Sequence, residues 1–275
     1  DSEEILVAFA ELRGITYPLL SDDDSAVIRD YGILNTVAAE AIGPDANDPD
    51  VIADVPRYVA ASVFDSPELR RTINGTPFPG TFVLDARGRV TSRYFEEFYR
   101  ERSSTATVML KSGIGLSPIE AIQGTTAQLK FTAYPSNTIV TNGMRFSLVL
   151  EVEPNPGMHV YAPGAEELGY RVIGFNMASS DFVRYEPVQY PESEIYHFEP
   201  LDEFVPAYQG PFTLLQEAVI VASAEIEAEL KATAAITLSG SLDYQACDDA
   251  ICYLPASVPI SFTLEFQQLD YQRLD

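Results

Sequence analysis

The sequence is short of basic residues, cysteines and long apolar runs, and each shortage excludes a class of function. It has 17 Lys and Arg against 41 Asp and Glu in 275 residues, a formal net charge of −24. A field of that sign repels nucleic-acid phosphates and anionic lipid surfaces, so no nucleic-acid partner is expected. The acidic residues are spread through both halves of the chain, which indicates a solvated acidic surface. Docking against a basic partner is the alternative interpretation.

Hydrophobic stretches in the sequence are too short to span a bilayer, because none reaches the roughly 18 consecutive apolar residues required. The opening residues, DSEEILVAFAELRG, carry acids where a signal peptide carries basic residues. We therefore expect no transmembrane segment in this chain and place any anchor or export signal outside it.

Cysteine is represented only by Cys247 and Cys252. Two cysteines are too few for a disulfide scaffold, and His159 and His197 lack the spacing that would complete a zinc site with them. The cysteines are therefore either one redox pair or two inert thiols. We expect neither a metal nor an organic cofactor.

The first part of the chain mixes helical and strand patterns, typical of an α/β unit. Periodicity and capping residues predict a helix ending at Arg13, a short helix over Ala26–Tyr31, a hairpin of Thr81–Asp85 with Arg89–Phe95, and a closing helix over Ser104–Lys111. Asn35–Leu69 is rich in Ala, Asp and Pro, which predicts an irregular excursion with one or two short helices.

From about Gln123 the pattern changes to short alternating segments: AQLKFTAY, MRFSLVLEVE, AVIVASAEI, LKATAAITLSG and ISFTLEF. Pro, Gly and Asn turns separate them, which predicts an all-β sandwich. We therefore divide the chain into an α/β domain over 1–111, a linker over 112–122 that is rich in Gly, Ser and Pro, and a β domain over 123–275.

The cysteines flank the loop Asp-Asp-Ala-Ile, between the strand-like segments SGSLDYQ and CYLPASVPISF. Facing residues of an antiparallel pair lie about 4.5 to 5.5 Å apart, within disulfide range, so the pair can close across its own hairpin. A register shifted by one residue stays open. A ring of about six residues stabilises by only about 2 kcal/mol, against about 4.7 kcal/mol for a 100-residue loop. This favours a bond that opens and closes over a structural staple.

Asp248 and Asp249 lie between the cysteines, and their carboxylates disfavour a thiolate and raise thiol pKa values. We interpret the pair as a disulfide that a partner's thiolate attacks, and not as an activated nucleophile. Two buried cysteines that never react are the alternative.

A first resemblance is carried by RGITYPLLSDDDSAVIRDYGI, PFPGTFVLDARGRV and YRER. Residues 1 to about 110 resemble the carboxy-terminal two-thirds of a redoxin, the peroxiredoxin (AhpC/TSA-like) branch of the thioredoxin fold. The resemblance implies that Pro79 is the redoxin proline, commonly cis and facing the redox cysteines; a trans proline that opens a strand is the alternative. Redoxins carry the reactive cysteine on the first strand and helix, but no cysteine precedes Cys247 here. The resemblance therefore implies a truncated domain without thiol or peroxide chemistry.

A second resemblance is carried by YQACDDAICYLP, with GMHVYAPG and with DEF followed by YQGPFTL. Residues from about 123 to 268 are similar to the periplasmic amino-terminal domain of the thiol:disulfide interchange protein DsbD. The resemblance implies an immunoglobulin-like sandwich that passes electrons from a membrane-embedded reductase to periplasmic thiol oxidoreductases.

The same resemblance implies roles for individual residues. Cys252 forms the mixed disulfide with a partner, and Cys247 resolves it. Phe204 lies in a cap loop that shields the pair, and Tyr161 lies near the site. The alternatives are Phe204 as a core residue, and Tyr161 and His159 as ordinary strand residues.

Three hypotheses for function follow from these patterns. The first is a periplasmic or otherwise extracytoplasmic thiol-disulfide oxidoreductase, exchanging with a thioredoxin-type protein or a membrane reductase. The second is a non-catalytic accessory subunit of a membrane-associated complex, such as one that handles electrons, with the redoxin-like half used for docking. The third is a fused redoxin and relay whose missing segment holds a reactive cysteine. The sequence leaves open whether the chain is an enzyme.

Overall fold

The computed structural model describes residues 2–22, 24–35, 77–96 and 101–269. The chain divides into two compact units, one formed by Asp1–Arg100 with Leu269–Asp275 and the other by Glu101–Gln268. No helix within the described ranges combines the length and the apolar character needed to cross a membrane. The excursion predicted over Asn35–Leu69 lies, beyond its first residue, outside the described residues.

The first unit contains the helices and the hairpin that the sequence predicts. Its elements are α1 (Glu3–Arg13), α2 (Ala26–Asp30), β1 (Gly80–Leu84) and β2 (Val90–Phe95). Gly14 ends α1 at φ 60°, a left-handed conformation that favours glycine. β1 and β2 pair antiparallel, and the Asp85 carboxylate closes their turn by accepting from the N–H groups of Arg87 and Arg89. These element predictions are confirmed.

Pro79 lies just before β1. No peptide bond among the described residues is cis, so the expected cis bond before Pro79 is wrong. Its carbonyl accepts a hydrogen bond from the Glu96 N–H at 2.9 Å, which extends the β1–β2 ladder. Pro79 therefore opens a strand as a trans proline, and its equivalence to the redoxin proline stays a prediction.

The second unit is an immunoglobulin-like β-sandwich, as predicted. Its strands are β3 (Arg102–Ser103), β4 (Ile122–Thr125), β5 (Leu129–Pro135), β6 (Ile139–Val140), β7 (Met144–Pro154), β8 (His159–Tyr161), β9 (Gly174–Met177), β10 (Val183–Gln189), β11 (Glu194–Phe198), β12 (Glu203–Tyr208), β13 (Phe212–Ile220), β14 (Ala235–Tyr244), β15 (Ala246–Cys247) and β16 (Ala256–Phe266). Two short 3₁₀ turns, Ala165–Leu168 and Glu199–Leu201, follow β8 and β11.

Three sheets make up this sandwich. One runs β10-β13-β7-β5-β4 with β3 beside β7, a second runs β6-β16-β14-β9, and a third runs β11-β12-β8-β15. One hydrophobic core holds the first two sheets together, with Leu148 and Leu214 from one side and Leu238 and Ile260 from the other. In β16, buried and exposed residues alternate from Pro259 onward, as expected for a strand with one face on the core.

The segment predicted to close the first half packs on the sandwich. It forms β3 and the helix α3 (Thr105–Lys111), and β3 pairs parallel with β7. The Ser147 hydroxyl donates to Thr107 at 3.1 Å, and Lys111 Nζ lies 2.6 Å from a Glu217 oxygen. The compact second unit therefore begins before the predicted linker over 112–122, and the domain boundaries stay a prediction at residue level.

A helix that the sequence analysis missed interrupts the strands. α4 (Ala224–Thr233) occupies part of the two segments predicted as strands, AVIVASAEI and LKATAAITLSG, so those predictions are wrong over this range. The Ser223 hydroxyl caps the helix by accepting from the Ile226 N–H at 3.2 Å. Ala, Glu, Leu and Lys dominate the helix and are strong helix formers, which explains why local preference overrides the alternation.

Candidate functional site

The site residues lie on one face of the small sheet β11-β12-β8-β15. In its ladders, Cys247 lies opposite His159, and Ala207 lies opposite Tyr161. Directly paired residues share a face of a sheet, and so do residues two apart on one strand. The side chains of His159, Tyr161 and Cys247 therefore project to the same side.

Cys247 and Cys252 form a disulfide, with Cα atoms 4.1 Å apart and an antiparallel bridge between the two residues. The pair closes across its own hairpin, as the spacing predicts. The two cysteines differ in exposure, because Cys247 is 0% exposed while Cys252 is partly exposed. Ile251 and Leu254 flank Cys252 and are exposed, Leu254 to 89%. Cys252 is therefore the more accessible residue of the pair.

The loop between the cysteines is built on Asp248. One oxygen of its carboxylate accepts from the N–H groups of Ala250 and Ile251 at 2.8 and 2.6 Å. The other oxygen accepts from the Tyr253 hydroxyl at 2.9 Å. These hydrogen bonds lower the pKa of Asp248 and keep its carboxylate ionised, and the bond from the Ala250 N–H has the largest effect. Asp248 therefore shapes the loop as well as placing a negative charge beside the disulfide.

Tyr161 touches both sulfurs. Its hydroxyl lies 2.7 Å from Cys247 Sγ and 3.4 Å from Cys252 Sγ. A disulfide carries no S–H, so the phenol is the donor. The ring stacks on Tyr170 at 4.2 Å, and Tyr170 in turn donates to Glu203. Burial, followed by the influence of Tyr170 and Glu203, raises the pKa of Tyr161, so it remains a neutral donor.

His159 is buried beside this group. Its ring lies 4.0 Å from the Tyr196 ring and meets Tyr161 edge-on at 5.5 Å. Tyr196 donates a hydrogen bond of 2.8 Å to Asp249 in the cysteine loop. Burial lowers the pKa of His159, while the carboxylates of Asp249 and Asp248 act in the opposite direction. The imidazole is therefore held neutral, with two negative charges nearby.

Phe204 does not take the position that the resemblance implies. It is 64% exposed and stacks on His197, with ring centroids 4.4 Å apart. Its neighbour Val205 is buried and packs with Tyr161 and Cys247. Because successive side chains of a strand alternate, Phe204 faces away from the disulfide. Val205 covers the buried cysteine instead, and Phe204 is not a core residue either.

Four residues at the site were not predicted from the sequence: Tyr170, Tyr196, Glu203 and Val205. The pairing of β11 with β12 places Tyr196 opposite Val205. Reading EIYHF and DEFV as two strands of one hairpin would have placed both residues on the site face. No sequence pattern indicated the Tyr170 stack. In the described ranges, His, Cys, Asp and Glu side chains form no group of three that could hold a metal ion.

The fold and the site define the second unit as an immunoglobulin-like sandwich with a local disulfide, one cysteine buried and the other partly exposed. The comparisons with known families agree with that class. Residues 128–263 match the family model of the thiol:disulfide interchange protein DsbD, N-terminal, and residues 1–93 match the AhpC/TSA family model. Both resemblances are thereby confirmed. Together with the cysteine pair they support a thiol-disulfide interchange module.

Solved structures that match part of this chain include the N-terminal periplasmic domain of ScsB from Proteus mirabilis. The match has 14% identity and a TM-score of 0.35, and covers 52% of this chain and 49% of the ScsB chain. The yeast GGA1 GAE domain has 8% identity, a TM-score of 0.28 and coverage of 50% and 95%. The SrpA adhesin from Streptococcus sanguinis has 16% identity, a TM-score of 0.26 and coverage of 53% and 59%.

No curated protein matches this chain. The chain spans about half the length of the ScsB domain that it matches, 49%.

Proposed function

We propose that this chain passes reducing equivalents between protein partners through the Cys247–Cys252 pair. The difference in exposure between the two cysteine residues is the observation that carries the proposal. A partly exposed Cys252 is suited to form a mixed disulfide with a partner. A buried Cys247 is suited to attack that mixed disulfide from within the chain and so release the partner. A disulfide of this kind persists in oxidising compartments, which supports a periplasmic or other extracytoplasmic location.

The exchange begins when a partner thiolate attacks Cys252 Sγ. The bond between the two cysteines breaks, and its electron pair leaves on Cys247 Sγ, where the Tyr161 hydroxyl donates a hydrogen bond. The partner's second thiolate then attacks the partner sulfur of the mixed disulfide and releases Cys252. The partner departs oxidised, and the pair has gained two electrons and two protons. The reverse sequence reduces the next partner.

The surroundings of the pair favour a dithiol that stays protonated between one partner and the next. The charges of Asp248 and Asp249 disfavour a thiolate, so the reduced pair stays protonated until it meets an oxidised partner. Exposed Ile251 and Leu254 provide an apolar rim around Cys252 for a thioredoxin-type oxidoreductase or a membrane reductase domain.

A trapping experiment tests this assignment. Cys247→Ala should leave Cys252 free to form a stable mixed disulfide with a thioredoxin-type protein whose own resolving cysteine is replaced by Ala, because neither protein then holds a thiol that resolves it. Cys252→Ala should trap far less, because Cys247 is buried. Non-reducing electrophoresis with mass spectrometry measures both. Equal trapping by the two variants, or a native disulfide that dithiothreitol cannot reduce in the folded protein, refutes the relay.

A second candidate is a non-catalytic accessory subunit of a membrane-associated complex. It is favoured by α1, where none of the residues is buried and Ile5, Phe9 and Leu12 are exposed. An accessory subunit would keep an unreactive disulfide and co-purify stoichiometrically with defined chains. The thiol count of the folded protein before and after reductant therefore separates the two candidates.

A further inference from the structure

His159 is a buried titratable group that the exchange described above does not use. It is 2% exposed, and within the described part of the chain its Nε2 has no hydrogen-bond partner. Buried polar atoms in native proteins are nearly always paired, so an unpaired one calls for an explanation. His159 also lies directly opposite Cys247 in the β8–β15 ladder, on the same face.

The exchange requires a proton to move at Cys247. When a partner opens the disulfide, the electron pair left on Cys247 Sγ forms a thiolate in a site closed to solvent. The adjacent carboxylates disfavour that charge, so the sulfur must take up a proton. When the pair expels a partner, the Cys247 thiol must lose the same proton before it can attack Cys252.

The tyrosines on this face and Asp248 are unsuited to carry that proton near neutral pH. Burial raises the pKa of Tyr161, and it raises the pKa of Tyr170 and of Tyr196 to about 12, so all three keep their protons. Asp248 has a lowered pKa and stays ionised. Burial lowers the pKa of His159, so its imidazole is neutral and can act as a base at neutral pH.

We infer that His159 is the proton carrier of Cys247, an inference that rests on the proposed exchange function. As Cys247 attacks Cys252, its proton passes to the imidazole. The new S–S bond forms, and the electron pair of the broken bond leaves on the partner's sulfur. The imidazolium then faces Asp248 and Asp249, whose charges stabilise it. When the next partner opens the disulfide, the imidazolium returns the proton to the Cys247 thiolate.

The test compares His159→Gln with a matched control, His197→Gln. His197 is the chain's other histidine, lies on the opposite face of the sheet and bonds to Asp202 at 2.8 Å. The reduced full chain is mixed with oxidised glutathione between about pH 5 and pH 8, across the range where histidine titrates. Acid quenching and mass spectrometry then give the rate at which the glutathione adduct on Cys252 resolves.

In the unsubstituted protein and in His197→Gln, the resolution rate should rise with pH through a midpoint below the ordinary histidine value. In His159→Gln that inflection should vanish, and the rate at neutral pH should fall about a hundredfold, at the low end for general base catalysis. A His159→Gln profile that matches the control overturns the inference. If the unsubstituted chain forms no adduct at all, the proposed function itself fails.

NMR titration of the unsubstituted protein keeps the test independent of how well the variant folds. The chain has two histidines, and His197→Gln assigns their signals. The His159 signal should titrate in the folded protein, with a midpoint that differs between the oxidised and reduced states. A His159 midpoint unaffected by reduction of Cys247 contradicts a shared proton.

Discussion

Replacing Tyr161 by Phe removes one hydroxyl from the disulfide and leaves the ring stack on Tyr170 in place. The hydroxyl lies 2.7 Å from Cys247 Sγ, the sulfur that leaves as a thiolate when a partner attacks Cys252. A hydrogen bond to a charged atom contributes about 1.5 to 3 kcal/mol, and one to a neutral atom about 1 kcal/mol. Only the difference between the two, about 0.5 to 2 kcal/mol, accelerates the opening step, and it corresponds to about a two- to thirtyfold change in rate.

Stopped-flow reduction by dithiothreitol measures this step. Tyr161→Phe should open its disulfide roughly tenfold more slowly than the unsubstituted chain. Tyr244→Phe is the control, since it loses a buried hydroxyl that bonds Thr126 at 2.9 Å. Its opening rate should be unchanged. If Tyr161→Phe folds normally and opens at the control rate, the phenol does not stabilise the leaving thiolate and the assignment is wrong.

Two further predictions concern stability. Arg145→Met should lower the free energy of unfolding by about 3 kcal/mol, because it leaves the almost fully buried carboxylates of Glu101 and Glu217 without that partner. Lys130→Met, which breaks an exposed 4.0 Å pair with Glu153, should change it by less than about 0.5 kcal/mol, and urea unfolding measures both. Equal losses would contradict the role of burial. Unfolded tyrosines ionise near pH 10, but burial raises the pKa of several folded ones to about 12: Tyr134, Tyr185, Tyr196 and Tyr208. The folded state therefore holds more protons, and stability should fall as pH rises from about 10 towards 12, by the same unfolding assay. A flat profile over that window would contradict burial of these phenols.

Local patterns were sufficient to predict most elements and the disulfide. Gly14 ends a helix because its left-handed conformation is local, and the hairpin of β1 and β2 follows from alternation and a turn. Cys247 and Cys252 are close in sequence, so their pairing depends on a single loop. Such features involve few long-range contacts, so they can be predicted from the sequence.

Long-range packing decided the features that were missed. The helix α3 was assigned to the first half by sequence order, but its buried Thr107 bonds Ser147 on β7. Phe204 and Val205 are both apolar, and the register of β12 against β11 and β8 determines which one covers the cysteine. A shift of one residue would exchange their positions, and only the pairing across the sheet fixes that register.

Asp248 shows why the loop and its chemistry are linked. From the sequence, only the negative charge of Asp248 could be recognised, and that charge opposes a thiolate. In the structure the same carboxylate also accepts from Ala250, Ile251 and Tyr253, and so holds the turn that brings Cys247 and Cys252 together. These bonds keep it ionised, and the charge that slows thiolate formation is therefore maintained by the fold of the loop itself. A disulfide in such a loop closes readily and, once reduced, stays protonated until a partner arrives, which is the behaviour that an intermediate carrier of electrons requires.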